Sequence, residues 1–175
     1  KEQVKWEESD VFNPAATVKD GKIVVLYRAE DNSAQGIGKR TSRIGYAESA
    51  DGVTMKRLDS PVLFPGGDEF ESIECPGGCE DPRVAMTEDG LYVMLYTAWN
   101  RKTPRLAVAT SKDLKNWTKH GLAFEKAYDG RFARIATKSA SILTKVKGGK
   151  LVIDKVDGKY FMYWGEYAVH AATSD

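Results

Sequence analysis

Cysteine is scarce in this 175-residue chain, and long amphipathic helical patterns are missing altogether. The two cysteines, Cys75 and Cys79, flank Pro76-Gly77-Gly78, a spacing compatible with a disulfide closed by a tight turn and equally with two free thiols. A zinc site built on them would need further ligands, and the two histidines, His120 and His170, lie far along the chain, so no metal is expected there. No apolar run approaches a membrane span, and the opening Lys1-Glu2-Gln3-Val4-Lys5-Trp6 lacks the apolar core of a signal peptide, so no membrane partner is expected. Neither sign of charge dominates: 26 basic and 25 acidic residues are well mixed and leave a formal net charge of +1, which gives no electrostatic footprint for nucleic acid. What remains, 42% apolar and 29% charged, is the composition of a globular chain able to bury a core.

Strand signals dominate and they repeat. Asp20-Gly21, Asp89-Gly90 and Asp157-Gly158, 69 and 68 residues apart, each precede a β-branched and aromatic run that carries a tyrosine: Tyr27-Arg28, Tyr96-Thr97 and Tyr163-Trp164. A second series, Gly45-Tyr46-Ala47-Glu48-Ser49, Leu106 to Ser111 and Val169 to Ser174, ends in serines 62 and 63 residues apart. Each unit therefore reads as strand, Asp-Gly hairpin, strand with tyrosine, third strand ending in serine, and a short fourth strand such as Asn116-Trp117-Thr118. Four antiparallel strands at a fixed period are the signature of β-propeller blades. The units divide at about 6–70, 71–130 and 131–175, and three blades are too few to close a propeller, so further blades are expected after the last residue.

The repeat aligns the polar residues. Asn13-Pro14-Ala15-Ala16 and Asp81-Pro82-Arg83-Val84 open the first strands of two successive units, which places Asn13 and Asp81 in equivalent positions; Lys138-Ser139 opens the third. Because Pro82 fixes its own φ and biases the preceding residue away from the helical region, Asp81 is expected in extended backbone. Glu30 and Glu166 fall in register after the repeated tyrosines. Asp81, Glu30, Asp31, Glu166, Arg28, Arg43 and Asn13 are thus expected to converge at one pole of the channel, with Tyr27, Tyr96, Trp99 and Trp164 nearby. Carboxylates and amides that grip hydroxyl pairs, beside aromatic faces, suit a sugar. Two carboxylates across a sugar can also break a glycosidic bond, one as acid and one activating water. Asp81 is the candidate acid, with Glu80 and burial pushing its pKa up and Arg83 pushing it down. Among the rest, Trp164 reads as core, the three repeated tyrosines as structural, His170 as a structural histidine, and Lys145, Lys147, Lys150, Lys155 and Lys159 as the solvated face of a hairpin.

Phe12-Asn13-Pro14-Ala15-Ala16, Tyr27-Arg28-Ala29-Glu30-Asp31, Gly78-Cys79-Glu80-Asp81-Pro82-Arg83, Ala109-Thr110-Ser111-Lys112-Asp113-Leu114 with Trp117, and Tyr163-Trp164-Gly165-Glu166 together resemble glycoside hydrolase family 130. The resemblance runs from about Trp6 to the last residue. It implies an all-β, five-bladed β-propeller of which this chain covers about the first three blades, five units at this period needing about 300 residues. It also implies an enzyme that acts on mannose-containing oligosaccharides with β linkages, with Asp81 as general acid and Asn13 and Arg28 holding the mannose before the scissile bond. Asp31, Arg43, Glu80, Arg83 and Lys138 complete the expected substrate-binding set. No cofactor is implied, although phosphorylases of the family take inorganic phosphate as co-substrate. Where those phosphorylases tend to carry a basic residue followed by asparagine, this chain has Lys138-Ser139, which weakens a phosphate site. The stretch from Trp99 to Leu106, together with Tyr163 to Glu166, is similar to the hydrolase branch, the β-1,2-mannosidases, with Glu166 as base. That branch implies a periplasmic or cell-surface location, and a phosphorylase a cytoplasmic one.

Overall fold

Asp20 and Gly21 both take positive φ, 51° and 73°, the conformation that a two-residue hairpin demands, and they join β1 (Asp10–Lys19) to β2 (Lys22–Glu30). In this computed structural model, which describes residues 5–175, the unit continues with β3 (Ser42–Ser49) and the short β4 (Lys56–Arg57), each antiparallel to its predecessor. Residues 1–4 of the segment read for a leader lie outside the described residues. The second unit repeats the order. A one-turn helix α1 (Glu71–Glu74) leads into β5 (Gly78–Met86), β6 (Tyr92–Trp99), β7 (Pro104–Ser111) and β8 (Thr118–Leu122). The two units join where Ser42 pairs with Gly78, whose φ is +108° and where a Cβ would stand 2.1 Å from the Ser42 carbonyl oxygen. Only glycine fits there.

The repeated serines close the third strands. Ser49 Oγ accepts the N–H groups of Asp51 and Gly52, and Asp51 Oδ1 those of Val53 and Thr54; Ser111 and Asp113 do the same for the 113–116 loop. Side-chain alternation along β6 then builds two cores. Tyr92, Met94, Tyr96 and Ala98 pack with Val24, Leu26, Ile44 and Tyr46 of the first unit, while Leu95 joins Leu106, Phe124, Ala140 and Trp164 toward the third. The expectation of an all-β, propeller-type architecture holds, and Trp164 is core, its ring 4.6 Å from that of Phe124. No helix among the described residues is long and apolar enough to cross a membrane.

The third unit departs from the pattern. Its β13 (Lys159–Gly165) pairs with β14 (His170–Ser174) as expected, but on its other side it meets two separate strands, β9 (Ser139–Ile142) and β12 (Lys155–Val156). Between these the chain leaves to form a hairpin, β10 (Thr144–Lys147) and β11 (Lys150–Ile153), which docks through Val152 beside Met86 of β5. Lys145, Lys147 and Lys150 belong to this insertion, whereas Lys155 and Lys159 flank the Asp157-Gly158 turn, so the five lysines do not share one hairpin. Nor are the three tyrosines equivalent. Tyr27 and Tyr96 are buried and Tyr163 is exposed. The first two donate to buried glutamates that lead into their units, Tyr27 to Glu7 at 2.9 Å and Tyr96 to Glu74 at 2.7 Å, and each glutamate also meets a cation from the fourth strand, Arg57 and Lys119.

Candidate active site

Asp81 is not extended. Its φ is +49°, and Asn13 at the equivalent place has φ +46°. In both strands two residues oppose one: Asn13 and Pro14 lie across from Tyr27, and Asp81 and Pro82 across from Tyr96, between regular pairs on either side. The proline does exclude the right-handed helical region, but the residue before it escapes into the left-handed region, which asparagine and aspartate tolerate best among residues with a Cβ. The bulge has a chemical consequence. Neighbours on a regular strand point to opposite faces, whereas here Glu80 and Asp81, adjacent in sequence, both reach the same guanidinium.

That guanidinium belongs to Arg28, which is 3% exposed. Its Nη1 donates to Asp81 Oδ1 at 3.1 Å, Nη2 to Glu30 Oε1 at 2.5 Å and Nε to Ser42 Oγ at 3.1 Å, and Phe12 covers it at 4.6 Å. Glu80 Oε1 lies 2.8 Å from Nη2 without an aligned hydrogen bond, so that contact is Coulombic. Asn13 Nδ2 donates to Asp81 Oδ1 at 2.7 Å. From the third unit comes Lys138, whose Nζ is 2.8 Å from Glu80 Oε2 and 3.4 Å from Asp81 Oδ2. Its backbone is tied by Thr97, the second unit's counterpart of Arg28, which donates to the Lys138 carbonyl at 2.9 Å. All three units thus contribute to one cluster of three carboxylates and two cations.

Its electrostatics are uneven. Burial raises the Asp81 pKa, but the Asn13 amide and the Arg28 and Lys138 charges outweigh it and hold the carboxyl below its ordinary value. Glu80 goes the other way, because burial exceeds the pull of Arg28 and Lys138, and the Asp81 charge adds to it. Lys138 is raised by Glu80 and Asp81 against its own burial. The donors that act on Asp81 are Asn13, Arg28 and Lys138, whereas Arg83 Nη1 turns to the Pro82 carbonyl.

The remaining sequence candidates fall elsewhere. Arg28, Glu30 and Ser42 point into the cluster; their neighbours Asp31 and Arg43 point away, pair with each other at 2.8 Å and border a separate recess beside Trp6 and Phe64. Arg83 and the exposed Glu166 line a neighbouring cavity of about 330 Å³ together with Ser139 and Tyr167, and Asp81 is not part of its wall. His170 packs against Trp164, the rings tilted by 32° with centroids 4.7 Å apart. Cys75 and Cys79 are free thiols. Among the described residues no group of His, Cys, Asp and Glu is arranged to hold a metal ion. Sequence reasoning missed Ser42, which accepts from Arg28, and Arg40, whose Nη1 faces Glu30 Oε2 at 3.6 Å. Ser42 could have been found by pairing β3 against β2, which puts it opposite Glu30; Arg40 sits in an irregular loop that gives no such signal.

Residues 2–175 match the family model for β-1,4-mannooligosaccharide phosphorylase, glycoside hydrolase family 130. A 1,2-β-oligomannan phosphorylase from Thermoanaerobacter sp. is 33% identical over 95% of this chain and 50% of its own length, so the chain spans about half of that relative. Among solved structures, a Bacteroides ovatus protein described by inference as a glycoside hydrolase is 77% identical with a TM-score of 0.91 (98% of this chain, 48% of the other), and a Parabacteroides distasonis protein described in the same way is 70% identical at 0.94 (97% and 49%). Another, from work on family-130 glycoside hydrolases that target β-1,2 mannosidic linkages in Candida mannan, is 66% identical at 0.94 (97% and 47%). A β-1,2-mannobiose phosphorylase from Listeria innocua, 18% identical over 94% of this chain and 55% of its own with a TM-score of 0.69, shares the fold. The chain belongs to glycoside hydrolase family 130.

Proposed function

We propose that this chain supplies the acid and the base of the active site of an inverting β-mannosidase that cleaves β-1,2-linked mannosides. Asp81 gives a proton to the leaving oxygen as the C–O bond breaks, and Glu166 takes a proton from the water that attacks the anomeric carbon from the opposite face. Inverting enzymes hold the two carboxyl groups about 6.5–9.5 Å apart to admit that water. The observation that carries the reading is the clamp on Asp81: a strained bulge aims it, and Asn13, Arg28 and Lys138 fix it. Free, those donors keep it ionised. A mannose that recruits Asn13 and Arg28 to its hydroxyls withdraws donors from the carboxylate and lets its pKa climb, so that substrate binding itself arms the acid.

Lys138 favours water over phosphate as the nucleophile. Its ammonium is committed to Glu80 and Asp81, which leaves it poorly placed to bind an anion of its own. The high identity to proteins described as glycoside hydrolases supports the same side, while the curated relatives, described as phosphorylases, support the alternative. Compartment divides in the same way, extracytoplasmic for a hydrolase and cytoplasmic for a phosphorylase. The protein that carries this chain, incubated with β-1,2-mannobiose, is expected to release mannose at a rate independent of phosphate. Mannose 1-phosphate formed only with phosphate present would replace the reading with a phosphorylase, and no product from any β-mannoside would leave a sugar-binding propeller.

A further inference from the structure

Glu30 has no part in the chemistry above, yet its side chain is fully buried, which is costly for a carboxylate without compensation. Oε1 receives Arg28 Nη2 at 2.5 Å and Ser42 Oγ at 3.2 Å. Oε2 has no hydrogen bond and faces Arg40 Nη1 at 3.6 Å; Arg40 in turn pairs with Asp10 at the rim. Charges therefore alternate from the rim through the buried centre: Asp10, Arg40, Glu30, Arg28, then Asp81 and Glu80, with the half-buried Lys138 beyond both. The groups gathered around Asp81 are Asn13 from β1, Arg28 and Glu30 from β2, Ser42 from β3, Glu80 from β5 and Lys138 ahead of β9.

We propose that Glu30, backed by Arg40, is a positioning residue that fixes the Arg28 guanidinium against Asp81 and sets how much of its positive charge the acid feels. The inference rests on the reading of Asp81 as proton donor. Its sign is determined. Neutralising Glu30 leaves Arg28 less balanced, so Asp81 holds its proton less tightly; neutralising Arg40 leaves Glu30 free to offset Arg28 more fully, so Asp81 holds it more tightly.

The test is the pH dependence of kcat/KM for β-1,2-mannobiose in the protein that carries this chain, whose alkaline limb reports loss of the acid's proton. Glu30→Gln is expected to move that limb about one unit to lower pH, and Arg40→Met roughly half a unit to higher pH. Arg40→Met stands by itself where Glu30→Gln fails to fold, because Arg40 lies nearer the surface. Limbs that stay in place in Arg40→Met, with activity lowered evenly at all pH values, overturn the proposal and leave Glu30 structural. A wild-type protein inactive on β-mannosides, or Asp81→Asn at full rate, overturns the proposed function instead, so the two failures are distinguishable.

Discussion

The first two units share one framework of bulge, buried tyrosine and capped loop, and they differ in the side chains set on it. Both carry the left-handed bulge before proline, the tyrosine that faces it, the buried glutamate that receives the tyrosine hydroxyl, the cation from the fourth strand, and the serine–aspartate loop. At the bulge the first unit has Asn13 and the second Asp81; one strand over, Arg28 stands where the second has Thr97. The bulge is therefore an architectural device of the blade, and the proposed chemistry turns on which unit fills it with a carboxylate and which with an amide. Asn13 serves the same carboxylate it parallels, since its amide donates to Asp81.

The largest expected effect is an attempt to erase that difference. Asp81→Asn keeps the bulge and removes the proton, so kcat in the protein that carries this chain is expected to fall by about 10²–10⁴ while substrate binding, measured calorimetrically, persists. Near-normal turnover would dissolve the contrast between the units. Asn13→Asp replaces a donor to Asp81 with a second carboxylate, so the alkaline limb of kcat/KM should move upward by at least about one unit as the two share a proton. The double exchange is expected to stay inactive, because an acid on the first bulge comes from a different blade and points from a different side.

Much of this comparison was legible in the sequence. The Asp-Gly and serine series set the period, and the period aligns Asn13 with Asp81. What failed was direction. The repeat places Asp31 and Arg43 in one polar set with Arg28, yet one step along a strand reverses the face, while Glu80 and Asp81, which a regular strand would separate, are reunited by a bulge that shows in the sequence only as a proline. The inserted hairpin was hidden because Thr144–Ile153 alternates as any blade strand does. Glu7 and Glu74 escaped notice because they lie in short helical turns outside the strand repeat.

Those two glutamates provide the next test. Lys119 is nearly buried and bridges Glu74 and Asp68 at 2.6 and 2.7 Å, whereas Arg57, opposite Glu7, is 43% exposed. Lys119→Met leaves a fully buried carboxylate without its cation and is expected to cost about 3 kcal/mol of stability, while Arg57→Met costs less than about 1 kcal/mol. Burial already raises the Glu74 pKa against the pull of Lys119 and Tyr96. A carboxylate whose folded pKa lies above its unfolded value contributes stability below the unfolded pKa and loses it as pH rises through the folded one. Removing Lys119 widens that gap, so the penalty should be smaller near pH 4 than at pH 7 in denaturant titrations. Equal penalties for the two variants would mean that the clamps are interchangeable despite their different burial.

The smallest effect separates the two serine–aspartate loops. In the second unit Leu114 adopts φ +65° and is fully buried, with Trp117 Nε1 donating to its carbonyl at 3.0 Å; the first unit has Gly52 there, next to an exposed Val53. A leucine held in the left-handed region persists only where its surroundings over-determine it, and Asp113 is what binds that loop. Burial raises the Asp113 pKa, but the Asn116 and Lys115 N–H groups, the Asn116 amide and the Ser111 hydroxyl together hold it well below the usual carboxylate range. A carboxylate depressed in the folded state contributes stability above its unfolded pKa and loses it as pH falls toward the folded one. Asp113→Ala is accordingly expected to lower Tm by about 2–4 °C at pH 7 and by less below about pH 4, where the wild type has begun to lose the same contribution. Asp51→Ala, on a loop whose glycine needs no such restraint, should lower Tm less; a larger drop for Asp51→Ala would show that the loops are tied down by their backbone hydrogen bonds alone and not by the residue buried at position 114.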